Sequence, residues 1–101
     1  MIIRQTFKFP ARLVGATITP FGGNGYYSVA HEATRQSVNA YIRGGAFDTF
    51  IDFDAAVTDG GNPPRLLPAY DSGDGLHLNP AGYAKLAATV NLTLFELFTD
   101  L

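Results

Sequence analysis

The chain has no cysteine, no tryptophan and only two histidines, His31 and His77, among its 101 residues. Without cysteine there are no disulfides, no thiolate metal ligands and no cysteine nucleophile. Charge is also scarce. Seven basic residues face nine acidic ones, and the basic residues form no run. That composition argues against a phosphate-backbone footprint, so no nucleic-acid partner is expected. No apolar stretch approaches the ~20 residues that span a bilayer, so no membrane span is expected. The N-terminal residues carry positive charge but no sustained apolar core, which is not the pattern of a signal peptide. The compartment therefore stays open. Internal repeats and low-complexity runs are absent, which excludes a solenoid. What is present is a globular composition of 47% hydrophobic and 13% aromatic residues. This is a heavy apolar load for one small domain spanning residues 1–101.

Four segments carry regular patterns. Leu13–Ile18 is a short apolar run ending at Pro20, the pattern of a strand buried on both faces. Ser28–Arg43 reads as a helix, with Ser28 as N-cap, Glu32 in the first turn and Gly44-Gly45 as the stop. Its apolar positions are Val29/Ala30, Ala33, Val38, Tyr41 and Ile42. Thr49–Phe53 is a second strand, which completes a β-α-β unit with parallel pairing. An irregular stretch from about Thr58 to Asn79 follows, of a length usually reserved for functional loops. Asn79-Pro80 then opens a last helix. Its stripe runs through Tyr83, Leu86/Ala87, Val90, Leu94 and Leu97/Phe98. Met1–Phe9 is either helix or extended arm. Two parallel strands alone leave both sheet edges bare, so a fragment or a homo-oligomer is expected.

His31, in the first turn of the helix, reads as a surface residue. His77 stands differently, near the end of the long loop with Asp74 three residues before it. D-x-x-H on a glycine-containing loop lets the carboxylate reach Nδ1–H. The tautomer is then fixed, and Nε2 is left free to take a proton from a nucleophile. The bland alternative is a hydrogen-bonded loop histidine capping the next helix.

The run Tyr70-Asp71-Ser72-Gly73-Asp74-Gly75-Leu76-His77-Leu78-Asn79-Pro80-Ala81-Gly82-Tyr83 resembles the last block of the SGNH (GDSL) ester hydrolases. Val14–Phe21 is similar to the family's penultimate strand, and Ile51–Val57 to its last strand and following turn. The resemblance covers about Leu13 to Phe98 and only the family's C-terminal half. It implies a partial three-layer α/β/α, flavodoxin-like fold, with parallel strands, flanking helices and completion by self-association. It further implies a carboxylic ester hydrolase with His77 as base then acid and Asp74 as its orienting carboxylate. The substrate would be a small ester or lipid, and no cofactor or metal is called for. Intact family members are often secreted.

The family's G-D-S nucleophile block and G-x-N-D block are both absent. The acyl-forming serine is then expected from outside this chain or from Ser72, the serine nearest His77 in sequence. Ser28 and Ser37 read as a cap and a mid-helix residue. Gly22-Gly23-Asn24-Gly25 follows the wrong strand for the asparagine block and reads as a turn. The alternative to an esterase is a catalytically silent α/β fragment that self-associates.

Other candidates have simple structural readings. Asp52 and Asp54 share a strand face like a glycosidase acid pair. The expectation is instead that Asp54 caps the Ala55–Val57 turn and Asp52 accepts hydrogen bonds at a strand end. Asp71, Asp74 and His77 lack the further ligands of a metal site. Asn91-Leu92-Thr93 is a glycosylation sequon placed inside the last helix. Leu94–Phe98 reads as core. Phe7, Phe9, Phe21, Tyr26 and Tyr27 read as core or as the lining of an acyl pocket.

Overall fold

Ser28 is extended, and its hydroxyl accepts from the His31 N–H, capping the helix as its sequence predicts. In the computed structural model, which describes residues 12–93, this helix is α1 (Val29–Arg43). It connects β1 (Val14–Ala16) to β2 (Thr49–Ile51), and the strands pair in parallel with Val14 opposite Thr49 and Ala16 opposite Ile51. Then come α2 (Phe53–Val57), a 3₁₀ turn at Pro68–Tyr70, and α3 (Pro80–Thr89). The described residues are therefore a mixed α/β structure built on a two-stranded parallel sheet.

Each strand is shorter than its apolar run. At the end of β1 the Ile18 N–H turns to the Asn39 carboxamide at 2.7 Å, which draws the chain away from the sheet. After β2, Asp52 accepts from the Ala55 N–H and caps α2, so Phe53 is helical. Asp52 is the strand-end acceptor expected of it and also takes the capping role expected of Asp54, which is instead buried.

The buried side of α1 also departs from its apolar pattern. Val29 and Tyr41 are exposed, whereas Arg35, Asn39 and Ile42 are buried. The i, i+4, i+7 spacing of those three puts one stripe against the ends of both strands. Arg35 donates to Asp54 at 2.7 Å, to Glu32 at 2.6 Å and to the Ile18 carbonyl at 2.9 Å. Arg43 donates to Asp52 and Asp54, and Thr17 joins in by donating to Asp52 and accepting from the Asp54 N–H. Burial draws the Arg35 proton affinity down, but the Glu32 and Asp54 carboxylates outweigh it and the net direction is up. Hydrogen bonds from Arg43 hold Asp52 below its ordinary value. A buried polar clamp therefore joins β1, α1 and α2.

The apolar core is formed by Val57, Leu66 and Leu78, packed by Ala56, Tyr70 and Leu86. Two of its three members, Leu66 and Leu78, come from the long irregular stretch, which is thereby anchored within its length and at its end. α3 stops at Thr89, where Val90 turns extended, rather than running along the whole apolar stripe. Tyr83, expected on the buried face, is exposed. The sequon lies beyond the helix, with Asn91 accepting from the Thr93 N–H and hydroxyl. Met1–Phe9 and Leu94–Phe98 lie outside the described residues. Among the described residues no helix is long and apolar enough to cross a membrane.

Replacing Arg35 by Met should cost about 3 kcal/mol, the low end for removing one partner of a buried ion pair, because Arg43 still faces Asp54. Urea denaturation checks this, and a loss under about 1 kcal/mol would show that the clamp contributes little.

Candidate active site

The loop from Asp71 to Leu78 starts and ends on a fixed frame. Asp71 and Leu78 form an isolated antiparallel bridge, and the Ser72 N–H donates to the His77 carbonyl at 3.0 Å. Leu78 is core, and Asn79 caps α3 by accepting from the Gly82 N–H at 2.8 Å. The same Asn79 carboxamide donates to the carbonyls of Ala69 and Asp71, and the Asn79 N–H donates to Tyr70. Gly82 lets α3 come this close, since a Cβ there would lie 2.7 Å from the Tyr70 carbonyl oxygen. The H-x-N-x-x-G spacing is thus the local device that holds His77 one residue from an anchored leucine.

Within this frame the chain folds back on Asp74. Its Oδ1 accepts from the N–H groups of Leu76 and His77 at 2.8 and 2.7 Å and from the Ser72 hydroxyl at 3.1 Å. Its Oδ2 lies 2.6 Å from His77 Nδ1. A carboxylate only accepts, so Nδ1 carries the proton and the neutral ring presents Nε2 as its bare nitrogen. The His77 ring first, then the backbone N–H groups of His77 and Leu76, hold the Asp74 carboxyl well below the usual carboxylate range. Its folded value lies below the unfolded value of about 3.9, so what it adds to stability is complete at neutral pH. That contribution is lost progressively as pH falls from the unfolded value through the folded one. The pair is open to solvent, with the His77 side chain 67% and the Asp74 side chain 44% exposed.

The structure brings Asp74, His77 and Ser72 together, but Ser72 donates its hydroxyl to Asp74 and not to the His77 ring. Asp71 turns inward as a loop former, its Oδ1 accepting from Gly73 and Gly75. No group of three or more His, Cys, Asp or Glu able to hold a metal ion occurs among the described residues. His31 stands apart, on the first turn of α1.

Asn24 is the residue that sequence reasoning passed over. Its carboxamide accepts from the Tyr26 N–H at 2.8 Å and donates to the Asp74 carbonyl at 2.7 Å. The turn it occupies was legible, but its partner 50 residues away was not. The contact needs glycine at position 75. Gly75 has a φ of +75°, and a Cβ on it would lie 2.5 Å from the Gly23 carbonyl carbon. The Gly22–Asn24 turn and the histidine loop therefore meet backbone to backbone.

Compared with known proteins, the sequence matches no protein-family model and no curated protein. The case for chemistry therefore rests on the geometry of this loop.

Loss of the Asn24 strut should loosen the loop selectively. In Asn24→Ala, hydrogen exchange of the Leu76 and His77 amides should quicken about fivefold, as for one lost hydrogen bond of ~1 kcal/mol. Amides of the α1 interior should stay unchanged. Equal acceleration in both places would show a general loss of stability rather than a strut.

Proposed function

We propose that the chain carries the histidine–aspartate half of a carboxylic ester hydrolase of the SGNH type. The observation that carries this reading is the 2.6 Å contact between His77 Nδ1 and Asp74 Oδ2, on a loop anchored on both sides. It leaves Nε2 exposed as a base. In the reaction, Nε2 takes the proton of a serine hydroxyl as its oxygen attacks the ester carbonyl. The imidazolium, steadied by Asp74, returns that proton to the leaving alkoxide. Water then repeats the sequence on the acyl-enzyme. Ser72 serves Asp74 in this scheme, Ser28 caps α1 and Ser37 lies within that helix, so the attacking serine is supplied to Nε2 by another polypeptide segment. Without it the pair activates water directly and more slowly. The resemblance of the Tyr70–Tyr83 run to the family's last block supports the same assignment.

A specific observation also favours a second reading, the silent fragment that self-associates. Val14, Ile18, Val38, Tyr41 and Phe50, on or beside the sheet and α1, are all exposed apolar side chains. Side chains of this kind on a two-stranded sheet are suited to burial against further copies.

Hydrolysis of a short-chain aryl ester, followed together with sedimentation, separates the two. The esterase reading predicts turnover that falls at least about tenfold in His77→Ala, the lower side of what a positioned base contributes, with no change in His31→Ala. Turnover indifferent to His77 would overturn it. No turnover from a stable assembly would select the second reading.

A further inference from the structure

A second feature lies where the end of β1 faces the first turns of α1. Ile18, Phe21, Tyr26, His31, Thr34 and Arg35 line a cleft of about 230 Å³. Its wall is an aromatic series. Phe21 meets Tyr26 edge to face at 5.3 Å between ring centres, and Tyr26 stacks on His31 at 4.1 Å with 16° between planes.

The polar groups of the cleft have a definite sense. His31 Nδ1 lies 2.7 Å from the Tyr26 carbonyl oxygen. Only an N–H satisfies that acceptor, so the neutral ring keeps Nε2 as a bare nitrogen. The Thr34 hydroxyl donates to the Ala30 carbonyl and retains its lone pairs. Arg35 brings no available charge, because its guanidinium is buried and already answered by Glu32 and Asp54. An anion entering the cleft would meet lone pairs and no available positive charge. A neutral hydrogen-bond donor meets complementary groups.

Size narrows the choice. An apolar cavity of roughly 150 Å³ holds benzene, and drug-sized ligands take pockets of roughly 300 Å³ or more. The present volume lies between those limits and suits a single ring with one small substituent.

We propose that this cleft is a binding site for a small, neutral, hydroxyl-bearing aromatic ring. The ring packs on Phe21, Tyr26 and Ile18, and its hydroxyl donates to His31 Nε2. The site is independent of His77 and of the hydrolase reading.

The test is an NMR titration of the full chain with phenol, anisole and benzoate, following the side-chain signals of Tyr26 and His31. Anisole keeps the ring and oxygen of phenol but has no proton to donate. Phenol should saturate both signals, with anisole ~3–10-fold weaker, as for one neutral hydrogen bond, and benzoate weaker still. In His31→Phe, which preserves a stacking ring on the exposed helix surface, phenol and anisole should bind alike. The proposal is overturned if phenol does not saturate these signals, if anisole or benzoate equals phenol in the wild type, or if the phenol preference survives in His31→Phe. The wild-type comparison decides without any variant.

Discussion

One carboxylate organises the part of this molecule most suited to chemistry. Asp74 takes two backbone N–H groups, a hydroxyl and an imidazole N–H, all within an exposed loop of glycines and polar residues. A loop of that composition has little apolar surface to hold it in one shape. The hydrogen bonds to Asp74 supply the missing constraint, and they fix the histidine in the same act. Because its carboxyl is held low by those donors, it stays ionised through the range in which a histidine titrates. Loop order and ring tautomer therefore have a single cause.

The scaffold around the loop is polar where a larger domain would be apolar. Arg35, Arg43, Asp52, Asp54, Thr17 and Asn39 close the ends of the two strands against α1 and α2. The hydrophobic core joins Val57, at the end of α2, to Leu66 and Leu78 of the long irregular stretch. That core secures Leu78, and Leu78 and Asn79 place His77. The two parts have different tasks: the clamp sets the β-α-β frame, and the core presents the histidine loop.

The sequence was most informative where the determinants are local. Ser28 and Asn79 as N-caps, Gly44 as a stop and the parallel β-α-β order follow from neighbouring residues, and all four are observed. So is the reach of Asp74 to its own histidine. Errors arose where a distant partner decided the outcome. Strand lengths were overestimated because Asn39 and Asp52 capture the chain at the strand ends. In the apolar stripe expected of α1, Ile42 is buried as read, but it is joined by Arg35 and Asn39, whose burial follows ion pairing and hydrogen bonding rather than hydropathy. Asn24 is the turn residue it reads as, but nothing near it in sequence announces its bond to Asp74. Ser72, one of the two sources expected for a nucleophile, is near His77 in sequence, and its hydroxyl donates to the Asp74 carboxylate. Proximity along the chain carried no information about which acceptor a hydroxyl would choose.

The central claim is that Asp74 locks the neutral His77 ring with its proton on Nδ1 and leaves Nε2 available as a base. ¹⁵N NMR of the histidine rings, at a pH where His77 is neutral, reads this directly. The account predicts a His77 signal pair with Nδ1 protonated and Nε2 bare, shifting toward the mixed tautomers of a free imidazole in Asp74→Ala. A wild-type ring carrying its proton on Nε2, or already mixed, would contradict it.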